Sequence, residues 1–553
     1  MPSRRKEDKL LISCRFHTYN KFAHIFFGSG LFIYCLYAIQ FLIITKTQES
    51  SAETAMERLK PTERHFFSLV HQAVYANPFS DRRGRVDLEI AGFFTDTDED
   101  RGFQKTISQV RAHIGRLENE NIADITRYGE GDRKLLTSSF LFDLFHRFVE
   151  HFDQLIVDQI QAGDRSLPVP FYGEAMAQLT GWGFSRPVAR RYLAMCYQLR
   201  RAFFFIDKGL KGRSKSMRRL RESLWNNVFT HDMDLYHRFL WNRMEDFSTM
   251  LLGATGSGKG TAANAIGRSG FIPFDEKKSC FAESFTRSFI ALNLSQYPES
   301  LIESELFGHR KGAFTGAVDD FEGVFDRCSP FGAIFLDEIG EVGEPIQIKL
   351  LQVIQERIFN RVGGHRSRPF RGRVIAATNL TEEQLLDGKT MRKDFFYRLC
   401  SDLIVVPSLA RRIREDPGEL DDLLQVVIQR IVGEPSEELA QWVKTQIRRA
   451  PGIDYTWPGN VRELEQCVRR ILLKREYAPL AGQAPPDLTA QLITGLKHQR
   501  LDAKSLMGGY CFLLHQAHHT IEAVARITGL DRRTAKKHIE NGRRRFVVEG
   551  DQS

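Results

Sequence analysis

The stretch from residue 253 to residue 259 has the residue types that bind phosphate groups. It follows the apolar segment Met250-Leu251-Leu252, which predicts a buried strand. Glycines let backbone amides wrap phosphate oxygens, the amino terminus of a following helix favours negative charge, and a lysine reaches the outer phosphates. A glycine-rich turn without nucleotide is the alternative, but the strand–loop–helix context argues against it. We predict a nucleotide site at Gly253, Ala254, Thr255, Gly256, Ser257, Gly258 and Lys259.

The residue after Lys259 departs from the usual phosphate-binding loop. Gly260 stands where such loops have Ser or Thr, whose hydroxyl binds Mg²⁺. Thr261 comes next and is our candidate for that metal contact. The predicted nucleotide site therefore includes Gly260 and Thr261, with ATP and Mg²⁺ as the cofactors.

Two carboxylates end a second apolar segment downstream. Residues 332–336 predict a strand buried in a parallel sheet, and Asp337 and Glu338 follow it. ATP hydrolysis needs a carboxylate that binds Mg²⁺, which neutralises phosphate charge, and a second one that polarises the attacking water. We assign the metal to Asp337 and the water to Glu338.

A glycine-rich segment lies between these two motifs. Gly312 and Gly316 free the backbone, which favours a loop tip that holds Phe314 out for a partner. Taken alone, the six residues 312–317 also fit an ordinary glycine-rich turn. They reproduce the GAFTGA signature, and with Glu-Ser-Glu-Leu-Phe-Gly-His at 303–309 the chain resembles the sigma-54-dependent transcriptional activators, or bacterial enhancer-binding proteins.

The resemblance covers about residues 225 to 545, and the motifs occur in the family's order. It implies an AAA+ ATPase that forms a homo-oligomeric ring, a hexamer, and acts on the sigma-54 RNA polymerase holoenzyme. Asn293 resembles an asparagine that contacts the catalytic glutamate and relays the nucleotide state to the loop; an asparagine that caps a turn is the alternative. The residues implied to contact sigma-54 are Gly312, Ala313, Phe314, Thr315, Gly316 and Ala317.

The same resemblance implies further nucleotide contacts. Asn379, which follows the apolar segment 373–377 and Thr378, matches the sensor I position beside the γ-phosphate. Arg462, in Trp-Pro-Gly-Asn-Val-Arg-Glu-Leu, matches sensor II. The resemblance assigns two arginines as fingers that reach the nucleotide of a neighbouring subunit, a role that requires a ring. Solvated surface arginines are the alternative. The catalytic residues so implied are Glu338, Asp337, Arg392, Arg398 and Asn293.

The carboxyl-terminal segment has the pattern of a helix-turn-helix. Ala525 and Gly529 provide a small residue for close helix packing and a glycine for the turn. The segment resembles the Fis-type domain that ends most sigma-54 activators, so enhancer DNA is the implied partner. A solvated basic helix is the alternative. The predicted DNA contacts on the second helix are Arg532, Arg533, Thr534, Lys536 and Lys537.

Upstream of the ATPase the pattern is helical. Apolar residues recur at spacings of three and four from Phe142 to Ile160, which predicts one face of a long helix and a core role. Strands ending in acidic residues do not alternate with helices here, which argues against a phosphoacceptor receiver domain. We interpret His146 and His151 as structural. The sequence names no effector for this region, and it assigns no role to the long stretch from Arg268 to Ile290.

Composition limits the remaining classes of protein. The net charge of +9 is compatible with nucleic-acid binding, and eight cysteines without a Cys-x-x-Cys pair argue against zinc ribbons and disulfide scaffolds. The run Ala23–Thr45 is uncharged and long enough to span a bilayer. It is interpreted as a membrane anchor, a buried helix or a translated upstream region before a true start at Met56. We favour the last, with a cytoplasmic protein.

These observations predict an α/β fold, an AAA+ phosphate-loop ATPase with a helical lid, between a mainly helical regulatory domain and an all-helical DNA-binding domain. The alternatives are an AAA+ unfoldase, a DNA-binding regulator with a vestigial ATPase and a membrane-tethered sensor. The predicted segments are 1–55 (apolar), 56–220 (regulatory), 221–408 (ATPase), 409–478 (lid), 479–500 (linker) and 501–553 (helix-turn-helix).

Overall fold

The computed structural model describes residues 56–93, 99–452, 455–475, 477, 488–497 and 501–546. They form two compact units: the first runs to Asp422 and also contains 459–461, and the second contains 423–458 and the residues from Arg462 onward. The predicted apolar run Ala23–Thr45 lies outside the described residues, as do residues 479–487 of the predicted linker. None of the described helices has the length and apolar character that a membrane span requires.

The amino-terminal part of the first unit is helical, as predicted. An aromatic core holds its helices together, with Trp182 stacked on Phe140 at 4.7 Å between ring centroids. Burial of such large rings is the main stabilising term for a helical domain. The helices are α1 Pro61–Tyr75, α2 Asp81–Ala91, α3 Glu99–Asn119, α4 Glu130–Arg147, α5 Val149–Ala162, α6 Tyr172–Gly181, α7 Arg186–Gly209 and α8 Lys215–Phe229.

The apolar stripe from Phe142 to Ile160 does not form one helix. The chain leaves helical geometry at Phe148, between α4 and α5, where φ is −107° and ψ is 10°. Phe148 is buried and stacks on Phe171 at 5.5 Å, so packing favours the bend over a straight helix. The prediction of one long helix is therefore wrong, although the stripe is core at Phe142, Phe152 and Ile156.

A parallel sheet of five strands forms the centre of the ATPase part, which confirms the predicted fold class. In chain order the strands of this part are β1 Thr249–Leu252, β2 Phe274–Asp275, β3 Cys280–Phe281, β4 Phe289–Asn293, β5 Ala333–Asp337, β6 Ile358–Phe359, β7 Arg368–Pro369, β8 Arg373–Thr378 and β9 Asp402–Val405. The order in the sheet is β4-β5-β8-β1-β9. β1, β5 and β8 are buried along nearly their whole length, as expected of strands covered on both faces.

Helices cover this sheet and connect its parallel strands, as crossover connections require. They are α9 Met233–Leu235, α10 Lys259–Gly267, α11 Glu299–Phe307, α12 Val324–Arg327, α13 Glu344–Glu356, α14 Glu382–Leu386, α15 Lys393–Leu399 and α16 Leu409–Glu415. The register aligns the carboxyl ends of the strands: Asn293 pairs with Asp337, and Leu252 with Thr378. The predicted functional side chains therefore meet at one edge of the sheet.

The stretch from residue 268 to residue 290 joins the ATPase to the amino-terminal helices. Its β2–β3 hairpin buries Phe274 and Phe281 in the aromatic core, and Phe281 stacks on Tyr197 of α7 at 4.2 Å. The fully buried guanidinium of Arg201 donates to the carbonyls of Arg268 and Gly270, both at 2.7 Å. The stretch to which the sequence assigned no role thus has a structural one, because it packs the ATPase part against the amino-terminal helices. The predicted domain boundary at residue 221 falls inside α8.

The second unit is helical. Its helices are α17 Glu419–Val432, α18 Glu437–Arg449, α19 Asn460–Lys474, α20 Leu488–Lys497, α21 Ala503–His518, α22 Ile521–Thr528 and α23 Arg532–Phe546, of which α17 and α19 begin in the first unit. The last three pack closely, since a Cβ on Gly542 of α23 would lie 2.1 Å from the carbonyl oxygen of Gly508 of α21. Only glycine fits at that crossing.

Candidate active site

The phosphate-binding loop connects β1 to α10, as predicted. Gly256 and Gly258 have φ of 76° and 110°, a left-handed conformation that other residues adopt only at a cost. These turns bring the loop to the amino terminus of α10, where free amides and the helix dipole attract anions. The Lys259 ammonium lies within this loop and donates to the carbonyl of Gly253 at 2.8 Å. The loop therefore has the backbone and the cation that a triphosphate requires.

Asp337 and Glu338 lie at the end of β5. Glu338 has φ of 56° and ψ of 46°, a left-handed conformation that costs a residue with a side chain on the order of 1 kcal/mol. Its Oε2 atom is buried and has no hydrogen-bond partner within the part of the chain that the structure describes. A strained backbone with an unsatisfied carboxylate oxygen is typical of a reactive position rather than of a structural one.

Several groups converge on the Glu338 carboxylate and set its pKa. Burial raises the pKa, and the Asp337 charge adds to the rise. The Lys259 ammonium opposes it, as does the nearby backbone amide of Asn379. The predicted lysine, both carboxylates and the sensor asparagine thus surround one point. A raised pKa is what a carboxylate needs to act as a proton acceptor near neutral pH.

These residues fit a nucleoside triphosphate with Mg²⁺. The loop amides and Lys259 would hold the phosphates, and Asp337 is an oxygen ligand of the kind that Mg²⁺ prefers. In the described residues, no group of three or more His, Cys, Asp or Glu side chains could form a metal site by itself. A Mg²⁺ site built from one carboxylate, phosphate oxygens and water is consistent with that.

The glycine-rich segment forms an exposed loop between α11 and α12. Phe314 is 39% exposed, and Thr315 beside it is also exposed. Gly312 and Gly316 have φ of 78° and 102°, so their glycine identity is a backbone requirement. The amide of Gly312 donates to the carbonyl of Ala317 at 2.8 Å and closes the tip. The loop is ordered internally and presents a phenyl ring and a hydroxyl outward.

The base of this loop is also fixed. His309 contacts the Phe314 ring at 4.9 Å, and its Nδ1 hydrogen-bonds to the Ser304 hydroxyl of α11 at 2.6 Å. Arg310 pairs with Asp320 at 2.5 Å across the loop. A displacement of α11 would therefore reach the tip through His309, as a mechanical element requires.

Residues 231–404 match the family described as the sigma-54 interaction domain. The chain contains a sigma-54 interaction domain. The match includes the phosphate loop, both carboxylates and the exposed Phe314 loop, and the family predicted from the motifs is confirmed over this part of the chain. The fold of the domain is that of AAA+ ATPases.

Relatives are similar to part of the chain. The chain is 39% identical over 236 residues to the Nif-specific regulatory protein of Azotobacter vinelandii, which covers 43% of this chain and 41% of that protein. It is 36% identical over 229 residues to the Sigma54-dependent transcriptional activator SfnR of Pseudomonas putida, over 41% of this chain and 57% of the relative. The chain thus spans about half the length of these relatives.

Similarity to solved structures is lower. A crystal structure of NtrX from Brucella abortus shares 21% identity with the chain and covers 67% of it and 79% of that protein, with a TM-score of 0.35. A TM-score of this size does not show a common fold over the whole chain. The assignment of the domain rests on its sequence and on its own sheet topology.

Asn293 lies at the end of β4, next to Asp337 in the sheet. Its side-chain oxygen accepts hydrogen bonds from the amide and the hydroxyl of Ser295, at 3.0 Å and 2.7 Å. The structure therefore shows the turn-capping contact. A relay from the nucleotide through Asn293 stays a prediction, and it requires these two bonds to Ser295 to exchange.

The two predicted finger arginines lie at opposite ends of α15. Arg392 immediately precedes the helix, and its guanidinium pairs with Glu344 at 2.5 Å and Asp394 at 2.8 Å. Arg398 is exposed in the last turn, and its guanidinium lies 3.4 Å from the carbonyl of Ile354. Both guanidinium groups are accessible to another subunit, and their roles in trans stay predictions.

The metal role predicted for Thr261 has little support from its position. Thr261 is exposed, and its methyl group lies only 3.2 Å from where a Cβ on Gly209 of α7 would stand. Gly260 has open space, since its Cβ would meet only Phe335, at 4.0 Å. The buried Ser257 hydroxyl has no hydrogen-bond partner among the described residues, so it is a better placed acceptor or donor for a ligand in the loop.

Asn460 has a role that sequence reasoning missed. The residue is 2% exposed, and its side chain donates to the carbonyl of Thr255 in the phosphate loop at 2.9 Å. It also accepts from the amide of Leu409 at 2.8 Å, and the amide of Val461 donates to the carbonyl of Gly256 at 3.1 Å. The Pro-Gly-Asn signal marked the position, but only the fold shows its loop partner.

We expect Asn460→Ala to weaken ATP binding about tenfold, because the Thr255 carbonyl loses its partner and the loop its fixed position. The measurement is a titration with a fluorescent ATP analogue. Asn264→Ala, in α10 behind the loop, is the control for a general effect of losing an asparagine. Equal affinity in Asn460→Ala and the unmodified chain would show that the loop holds its shape without this contact.

Arg462 lies in the second unit and is exposed in the first turn of α19. Its sensor II role stays a prediction.

The predicted DNA contacts form an exposed basic face on α23. Arg532, Arg533, Lys536 and Lys537 are exposed, Thr534 is half-buried, and Ala535 and Ile539 on the opposite face are buried. Gly529 ends α22 with φ of 71°, as the turn prediction required. The geometry is that of a helix-turn-helix, and its binding to DNA stays a prediction.

Proposed function

We propose that this chain is an ATP-hydrolysing transcriptional activator that binds enhancer DNA and remodels the closed complex of sigma-54 RNA polymerase. The observation that carries the proposal is the exposed Phe314–Thr315 loop inside a sigma-54 interaction domain that also has a phosphate-binding loop and the Asp337–Glu338 pair. The similarity to SfnR of Pseudomonas putida, a sigma-54-dependent transcriptional activator, supports the proposal. The basic face of α23 supplies the DNA contact.

In the proposed reaction, each part of the nucleotide site has its own role in ATP hydrolysis. The loop amides and Lys259 hold the phosphates of ATP, and Asp337 would hold a Mg²⁺ ion, which would supply charge that neutralises the phosphates. The Glu338 carboxylate orients the attacking water and accepts its proton. Arg392 of an adjacent subunit stabilises the transition-state charge, which makes hydrolysis depend on a ring, by our proposal a hexamer. Movement of α11 and His309 then carries the change to Phe314.

The test is promoter opening on a sigma-54 promoter with the purified full chain. We expect ATP-dependent opening, and we expect Thr315→Ala to lose it while retaining hydrolysis within about twofold, because Thr315 is an exposed contact residue and no part of the nucleotide site. The matched control is Ser367→Ala, a small hydroxyl removed from another loop of the same domain, which should open promoters normally.

The alternative function is that of an AAA+ unfoldase, which would also place an aromatic residue on a mobile loop. Nucleotide hydrolysis that is stimulated by an unfolded protein, with no opening by the unmodified chain, would favour it. Loss of hydrolysis in Thr315→Ala would contradict the separation of roles proposed here.

A further inference from the structure

The amino-terminal helices border a cavity of about 790 Å³ that is partly open to solvent and that the nucleotide site does not use. Its walls come from α1, α2, α3, α4, α7 and α8, with contributions from the start of α5, from α9 and from His237. Cavities of this size hold drug-sized molecules.

The walls of the cavity are aromatic. Two of the rings, Phe79 and Phe203, stack at 5.4 Å, and Trp225 lies edge-on to Phe79 at 6.1 Å. Most of the aromatic residues remain half-buried because they face the cavity. Flat rings offer stacking faces to another flat ring. The aromatic lining residues are Tyr75, Phe79, Phe103, Phe142, Phe145, Tyr192, Phe203 and Trp225.

The two arginines of the wall already have partners, whereas the Oδ1 atom of Asp87 is buried without a hydrogen-bond partner among the described residues. Arg83 pairs with Asp87 at 2.7 Å, and Arg200 pairs with Asp153 at 2.5 Å. These two are the arginines among the described lining residues. A ligand carboxylate or phosphate would have to displace a protein carboxylate from a guanidinium group and lose its hydration as well. The cavity therefore favours an uncharged ligand.

His146 supplies the polar contact of the wall. Its Nδ1 lies 2.8 Å from the Phe142 carbonyl, and since a carbonyl only accepts, Nδ1 carries the proton and Nε2 is an acceptor. No hydrogen bond to Nε2 occurs within the described part of the chain. Burial lowers the pKa of His146 to about 3, so the ring is neutral at physiological pH. Sequence reasoning interpreted His146 as structural because it and His151 are five residues apart and do not share one helix face.

We propose that this cavity is a binding site for an uncharged, flat aromatic molecule with one hydrogen-bond donor. The ligand stacks on the aromatic wall of the cavity and donates its hydrogen bond to Nε2 of His146. The site is separate from the nucleotide site and from the loop that meets sigma-54.

A second consequence rests on the proposed function. α8 forms part of the cavity wall through Trp225, and two residues later Asn227 donates to Thr249 of β1 at 2.9 Å and to Asp402 of β9 at 2.6 Å. Arg373 of β8 donates to Asn227 at 2.9 Å. One helix thus touches both the cavity and three strands of the ATPase sheet. Occupancy of the cavity changes the rate of ATP hydrolysis through α8.

The test uses 2-naphthol as the probe and the purified full chain. We expect saturable binding of 2-naphthol by calorimetry and much weaker binding of 2-naphthoate, whose charge the wall does not accommodate. His146→Phe keeps an aromatic ring but removes the acceptor. This change should weaken the binding of 2-naphthol about tenfold, as expected for the loss of one hydrogen bond. The affinity for 2-methoxynaphthalene, which has no hydrogen-bond donor, should stay the same.

A filled cavity gives the matched control. Gly84 lies on α2 in the wall, and a Cβ there meets nothing within 4 Å, so Gly84→Phe places a ring in the cavity and should abolish binding. Gly115 of α3 is equally unobstructed but does not line the cavity, so Gly115→Phe should bind normally. No saturable binding of 2-naphthol, or binding that survives Gly84→Phe, overturns the site. Binding in the unmodified chain with an unchanged hydrolysis rate overturns only the coupling through α8.

Discussion

Glu338→Gln is expected to abolish ATP hydrolysis while ATP binding is retained. Glutamine keeps the size and polarity of the side chain but cannot accept the proton of the attacking water, and a positioned base contributes about 10²- to 10⁴-fold to a rate. Phosphate binding depends on the loop and Lys259, which the change leaves in place. The measurements are phosphate release and binding of a fluorescent ATP analogue by the same preparation.

The control for Glu338→Gln is Glu341→Gln. Glu341 lies three residues along the chain, its side chain is exposed, and the charge of that side chain raises the pKa of Glu338. Its loss should change hydrolysis by less than about twofold at neutral pH, as expected for an exposed charge. Loss of ATP binding in Glu338→Gln would instead mean that the left-handed turn at this residue needs the carboxylate to fold.

The pH dependence follows from the same carboxylate. Burial raises the pKa of Glu338, and only its deprotonated form acts as a base. As pH falls, hydrolysis should therefore decline at a higher pH than an exposed glutamate would allow. Removing the Glu341 charge lowers the pKa of Glu338, so in Glu341→Gln the decline should move to lower pH. If the pH dependence of the hydrolysis rate is the same in Glu341→Gln and in the unmodified chain, the titrating group is not Glu338.

The nucleotide site could be predicted from sequence because each of its parts is local. The phosphate loop, the two carboxylates and the GAFTGA tip are short segments whose residue types indicate their chemistry. β1 and β5 place the phosphate loop and the carboxylates at the same edge of the sheet. Glu338 could be named as the base, but its left-handed backbone and its unsatisfied oxygen could not, since both depend on how β5 ends against its neighbours.

The contacts that hold the site together could not be predicted. Asn460 contacts Thr255 across 205 positions of sequence, and Arg201 contacts Arg268 and Gly270 across about 70. No periodicity or spacing reports such pairs, because they arise when separate elements pack. The same reason explains the cavity: its walls come from helices far apart in sequence, and each aromatic residue alone looks like core.

Arg392→Ala is expected to lower ATP hydrolysis about 10³-fold, the effect of removing an arginine that stabilises the transferred phosphoryl group. Arg392 pairs with Glu344 and Asp394 at the surface, and exposed pairs contribute little to stability, so the domain should remain folded. The measurement is steady-state phosphate release at saturating ATP. Lys393→Ala, which removes the adjacent exposed cation, should retain normal hydrolysis.

A mixing experiment decides whether Arg392 acts on its own subunit or on the next one. Arg392→Ala subunits keep Glu338, and Glu338→Gln subunits keep Arg392, so neither variant alone has both groups. In a mixed ring, an interface between an intact Glu338 from one subunit and an intact Arg392 from the other is complete, and hydrolysis should return in part. If both groups must come from the same subunit, mixing restores nothing. Restored hydrolysis would therefore establish that the active site is built at the contact between two copies of the chain, which is the condition for a ring that works on sigma-54.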